Sequence, residues 1–189
     1  SMSWYLDFLR ANQFNAIRLP VSEEFVIHSM DSIPDQGKVA ADDSLKGKTG
    51  IQIIDAVFDE CAKRGIFILL DMHRLNCDAQ SHKLWYQGEY TPQTFIDAWQ
   101  KLITRYAHHP AFFGVDVLNE PRESANFGTD PATSFNLLID SLDKALPDYK
   151  GLVLVEGISW GHDLSGLQSY PLKMDPSRVI YSPHVYGPS

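Results

Sequence analysis

The 189-residue sequence predicts an α/β fold: part of a (β/α)8 TIM barrel, with about five parallel strands, the second to the sixth, and their helices. Three observations predict it. Apolar runs alternate with amphipathic helical segments, the pattern of a parallel sheet. No GxGxxG or GxxxxGKS/T follows any run, so a doubly wound nucleotide fold lacks its phosphate cradle. Polar residues gather where the apolar runs end: Arg18, Asp71 with His73, Asn119 with Glu120, Glu156, and His184 with Tyr186. In barrels that end of the sheet carries the active site.

Residues 3–13 read as a short helix with Trp4, Phe8 and Leu9 on one side. "FNAIRLPV" follows as a strand ending near Pro20, and residues 21–47 as a long loop. "TGIQIIDAVFDECAKRG" is an amphipathic helix with the stripe Ile51, Ile54, Val57, Phe58 and Cys61, and Gly65 is its stop. "IFILLDMH" is a continuous apolar run, a strand covered on both faces. Thr91-Pro92 caps a helix whose stripe is Phe95, Trp99, Leu102, Ile103 and Tyr106. "FFGVDVLNE" is the next strand. Asp130-Pro131 is expected to open a helix with the stripe Phe135, Leu138, Ile139, Leu142 and Leu146. "GLVLVEG" is a strand, 157–177 an irregular link, and "RVIYSPHVYG" the last strand. Five strands fall short of eight, and a barrel runs to ~250 residues. Residues 1–189 are therefore expected to be a single catalytic-domain fragment, lacking the first strand and the seventh and eighth β/α units. The remainder of the barrel is its expected partner.

Hydrophobic content of 44% and charged content of 21% describe an ordinary globular chain, not a disordered one or a coiled coil. No apolar run approaches the ~20 residues of a membrane span, and no signal peptide is read in "SMSWYLDFLR". The net charge is −8 with scattered basic residues, which argues against a nucleic-acid partner. Cys61 and Cys77 stand in no metal spacing, so neither a metal nor a cofactor is called. Cys61 reads as a small buried hydrophobe and no 61–77 bridge is expected.

"GVDVLNEP" concentrates the chemistry. A carboxyl group at a strand end can protonate a leaving glycosidic oxygen, and the amide before it can hold a ring hydroxyl. Pro121 then turns the chain away. An isolated glutamate there would more simply cap a helix or pair with an arginine, but Asn119 beside Glu120 favours sugar chemistry. Trp85, Tyr86 and Trp160 fall in loops after strands, where indole faces can stack on sugar rings. Trp85 and Trp160 are called as such platforms, against the alternative that they pin their loops. Trp99 reads as core, and Trp4 likewise, with exposure at the end of the chain as the alternative. Glu123 reads as a loop charge and Asp71 as a structural partner; Glu156, on the strand next to Glu120, reads as a group that tunes Glu120 or binds on the aglycone side rather than as a nucleophile, which should attack from the opposite face.

These residues give the chain a resemblance to glycoside hydrolase family 5, the cellulases and related glycanases. "NEP" resembles its acid/base motif, "IRLPVS" its second strand, "LLDMHR" its third and "SPHVYG" its sixth. "CDAQSHKLWY" resembles the loop after the third strand in bacterial endoglucanases, and "HPAFFGVDVLNEPR" the run into the acid/base. The resemblance implies that Glu120 is the general acid/base and that Asn119 bonds the sugar 2-hydroxyl. It implies that Arg18 keeps the nucleophile ionised, that His73 and His184 line the glycone subsite, and that Tyr186 bonds the nucleophile. That nucleophile is a second glutamate about 5–5.5 Å from the first, on a seventh strand expected beyond Ser189. In similar cellulases the loop cysteine matching Cys77 pairs with one near the first strand. By resemblance the parent is a secreted, retaining endo-β-1,4-glucanase. It acts on β-glucan polysaccharide or oligosaccharide without cofactor, and binds neither nucleic acid nor membrane. The alternatives are a mannanase, β-1,3-glucanase or xyloglucanase of the same family, or an inactive sugar-binding fragment.

Overall fold

A computed structural model describes residues 1–77, 84–122 and 124–187. Its strands are β1 (Ala16–Ser22), β2 (Phe67–Arg74), β3 (Phe112–Asp116), β4 (Leu152–Val155) and β5 (Val179–Tyr181). Its helices are α1 (Met2–Ala11), α2 (Gly50–Lys63), α3 (Pro92–Tyr106) and α4 (Phe135–Ala145). All neighbouring strands pair in parallel, in the order β1-β2-β3-β4-β5. A doubly wound sheet reverses its strand order at a switch point, whereas a barrel keeps sequence order. The sheet is therefore five strands of a (β/α)8-type wall.

The helices form where local chemistry satisfies their ends. Thr49 and Gln52 make a reciprocal capping box at α2, with Gln52 Oε1 accepting the Thr49 N–H at 2.9 Å. Thr91 and Thr94 do the same at α3, with Pro92 in the first turn. Gly65 ends α2 at φ +63°, a left-handed conformation that a Cβ disfavours. The expected stripe of α3 is buried in full. Those of α2 and α4 are buried in most positions, with Ile54, Val57 and Leu146 packed at the margin of the core.

Three expectations are corrected. Asp130-Pro131 does not open α4. Asp130 instead accepts the Ala132 N–H at 3.0 Å in a tight turn, and Ser134 caps the helix through the Leu137 N–H. Asp is as competent in a turn as at a cap, because its short side chain bonds its own backbone two residues on. In α1 the buried residue is Leu6. Trp4 and Phe8 stack on each other at 5.8 Å while both stay exposed, so Trp4 is not core. The stretch read as a loop, 21–47, holds three short helical turns, the first at Phe25–Ser29.

The main core lies between one face of the sheet and the helices. Ile68, Leu70, Met72, Val115, Val117, Val153 and Val155 point into it, against Phe58, Phe95, Trp99 and Phe135. Trp99 buries its indole and donates Nε1–H to the Val117 carbonyl at 3.1 Å, which satisfies its polar atom. The alternate residues of the strands are left to the opposite face, and that face carries the chemistry.

Candidate active site

The register aligns the polar residues. Arg18 stands beside Leu69, and Leu69 beside Gly114; two residues on, Asp71 stands beside Asp116. Side chains two apart on a strand share a face, so Arg18, Asp71, His73 and Asp116 project away from the helices. Gly114 lies in the Arg18 row, where a Cβ would come within 2.6 Å of the Leu152 carbonyl oxygen.

Arg18 organises the base of the site. Its Nε donates to Asp116 Oδ2 at 2.8 Å and its Nη1 pairs with Asp71 Oδ2 at 3.0 Å. Its Nη2 reaches both Glu156 Oε1 at 2.8 Å and Asn119 Oδ1 at 3.0 Å. All three carboxyl groups are buried. One guanidinium does not neutralise three buried carboxylates, so one of them keeps its proton. Burial pushes Glu156 up, and the Asp116 charge beside it pushes further. Burial also raises Asp116, against the pull of Arg18. Of the two, Glu156 is the one pushed clearly toward its protonated form.

Glu120 sits above this base. Its backbone is left-handed at φ +49°, a strained conformation for a residue with a Cβ. Its N–H donates to Glu156 Oε2 at 2.6 Å. Its Oε1 lies 3.0 Å from His184 Nδ1 and accepts the Tyr186 hydroxyl. Burial alone would raise its pKa. The hydrogen bonds from Tyr186 and His184, with the His184 and His73 imidazoles nearby, outweigh that and hold the carboxyl below its ordinary value. His184 turns its other nitrogen, Nε2, to Glu156 Oε1 at 3.0 Å. Asp71 fixes the His73 ring through Nδ1 at 2.7 Å.

The structure thus gathers Arg18, His73, Asn119, Glu120, His184 and Tyr186 in one place. Within this chain the Tyr186 hydroxyl bonds Glu120. Trp160 lies at the rim, 47% exposed, beside the site. Its backbone N–H donates to the Pro121 carbonyl at 3.2 Å and Arg122 lies over its ring at 5.5 Å. Trp85, expected as a stacking platform, is instead a core residue. Trp85 is 1% exposed, packed on Phe135 at 5.9 Å, with Tyr86 edge-on at 6.1 Å and bonded to the Ala132 carbonyl. An indole buried on all sides pins its loop and has no face for a sugar. Glu123 and residues 78–83 of the "CDAQSHKLWY" stretch lie outside the described residues. Cys61 is buried and Cys77 exposed, and both are free. Sequence reasoning missed Asp116. Its signal was an acid in the middle of an apolar strand, a position that requires a buried partner.

A sheet in sequence order, with a strained glutamate over a guanidinium–carboxylate base at the strand C-termini, defines an enzyme-type barrel site of the (β/α)8 class. The model of the cellulase family, glycosyl hydrolase family 5, matches residues 2–189, and the chain belongs to that family. It is 36% identical to an endoglucanase of Paenibacillus polymyxa, over 100% of this chain and 50% of that protein. It is 34% identical to the major extracellular endoglucanase of Xanthomonas campestris pv. campestris, over 93% of this chain and 39% of that protein. The solved catalytic domain of the Xanthomonas enzyme superposes with a TM-score of 0.89 at 32% identity, covering 98% of this chain and 57% of that one. An endocellulase of Pyrococcus horikoshii, solved in complex with cellotetraose, gives 0.87 at 29% identity, over 99% and 57% of the two chains. The chain thus spans about half the length of the curated relatives it matches.

Proposed function

We propose that residues 1–189 are the acid/base-bearing section of a retaining endo-β-1,4-glucanase that acts on cellulose-like glucans outside the cell. The observation that carries the reading is Glu120, half-buried at a strand C-terminus behind Asn119 and facing His184 and Tyr186. Glu120 donates a proton to the leaving glycosidic oxygen while a second carboxylate, supplied from a seventh strand, attacks the anomeric carbon. It then takes the proton from the water that releases the glycosyl-enzyme. Asn119 holds the 2-hydroxyl, and Arg18 holds Asn119 from below. His73 and His184 meet hydroxyls of the sugar on the glycone side, and Trp160 stacks on a ring at the rim.

Glu120 needs its proton for the first step, yet its donors here favour the ionised form. A second carboxylate at about 5–5.5 Å acts in the required direction. It repels the Glu120 charge and competes for the Tyr186 hydroxyl. The endoglucanase names of the relatives and the cellotetraose of the Pyrococcus complex support a β-1,4-glucan as substrate. The extracellular name of the Xanthomonas relative supports secretion. The test is turnover of a substrate panel by the full-length protein. Cleavage of carboxymethylcellulose above mannan, xyloglucan and β-1,3-glucan is expected. Cleavage of mannan without carboxymethylcellulose would reject the substrate assignment.

A further inference from the structure

Glu156 is fully buried, so it cannot touch a polysaccharide. It nevertheless meets three groups of the site at once. Oε2 accepts the N–H of Glu120 at 2.6 Å, Oε1 accepts Arg18 Nη2 at 2.8 Å, and Oε1 lies 3.0 Å from His184 Nε2. We infer that Glu156 is a positioning residue: its carboxyl group clamps the left-handed backbone of Glu120 and orients His184 and Arg18 around the reacting carboxyl group.

The N–H of a residue at φ +49° points away from the strand ladder, so it needs an acceptor from elsewhere. Glu156, just past the end of the adjacent strand β4, supplies it. The His184 ring lies between two carboxyl groups, Glu120 at Nδ1 and Glu156 at Nε2. A neutral imidazole donates from one nitrogen and accepts at the other. Carboxyl groups at both nitrogens therefore set the plane of the ring. The groups facing Glu156 are Arg18 from β1, Asp116 from β3, the Glu120 backbone, and His184 beyond β5; Asp71 from β2 shares Arg18 with it.

The role rests on Glu120 being the acid/base, so the experiment reads geometry and activity separately. In the full-length protein, Glu156→Gln keeps the volume but only one acceptor oxygen where Glu156 uses two. The amide resonance of Glu120 or the ring nitrogen resonances of His184 must then move. Glu156→Ala moves both. Wild-type kcat falls about tenfold to a hundredfold in Glu156→Gln with KM nearly unchanged, the scale of a misplaced catalytic group. Unmoved resonances in Glu156→Gln overturn the inference. So does a lowered Tm with wild-type kcat and pH profile, which would mark Glu156 as merely structural. If the protein hydrolyses no glycan at all, the functional reading fails, while the resonances still decide whether Glu156 positions Glu120.

Discussion

Replacing Arg18 with methionine removes a charge while keeping most of the side-chain length, and it strands three buried carboxyl groups. The guanidinium makes contacts of 2.8 to 3.0 Å with Asp71, Asp116, Glu156 and Asn119. Removing one member of a buried ion pair costs about 3–5 kcal/mol, because the other charge stays behind. The Arg18 side chain is 32% exposed, so solvent screens part of that, and about 2–4 kcal/mol is the expected loss. For a domain of this size each kcal/mol moves Tm by about 2–4 °C, giving a fall on the order of 4–16 °C at pH 7. The sign of the pH dependence is fixed. Asp116, already raised by burial, loses its cation and rises further. An acid whose folded pKa lies above its unfolded value costs nothing below the unfolded value, about 3.9, and costs progressively more as pH rises through the folded one. The gap between wild type and Arg18→Met is therefore small at pH 4 and full at pH 7. Thermal melts followed by far-ultraviolet circular dichroism at both values measure it. A gap below about 1 kcal/mol at pH 7, or one of equal size at pH 4, would refute the charge-network reasoning.

Glu23 offers a second pH test. It is fully buried beyond β1, its Oε1 accepts the Thr94 hydroxyl at 2.5 Å, and burial pushes its pKa up to about 7. Its contribution is whole below pH ~4.3 and is lost as pH rises through about 7, so Glu23→Gln should flatten the fall in stability between pH 5 and 8. An unchanged slope counts against it. The tryptophans separate packing from binding. Trp85→Ala should cost about 3–5 kcal/mol of stability by opening the core. Trp160→Ala should leave the melt within about 0.5 kcal/mol, as surface substitutions do, and raise KM for cello-oligosaccharides. The reverse pattern, seen in melts and steady-state kinetics, would return Trp85 to the substrate.

The wall of the fold was legible because period-3.6 stripes and apolar strands are written locally, as in Phe95, Trp99, Leu102, Ile103 and Tyr106. The start of α4 was not, since Asp130 and Ser134 are both competent caps and only the fold-back of 126–134 decides between them. The site residues at strand ends were legible as polar punctuation. What those residues bond was not: Arg18 meets Asp116 across 98 positions and Glu156 across 138, and only the register of three strand pairs brings them together. Trp85 was misjudged for the same reason. A loop position suggests exposure, but α4 folds over this one.

The central claim is that Glu120 supplies the proton, and kinetics of Glu120→Gln in the full-length protein test it most directly. Cello-oligosaccharides, whose leaving alkoxide needs that proton, should be cleaved about 10²–10⁴-fold more slowly. An aryl cellobioside with a strongly acidic phenol as leaving group needs no proton to depart, and its first-turnover burst should survive. Wild-type rates on cello-oligosaccharides, or equal losses on both substrates, would contradict the assignment.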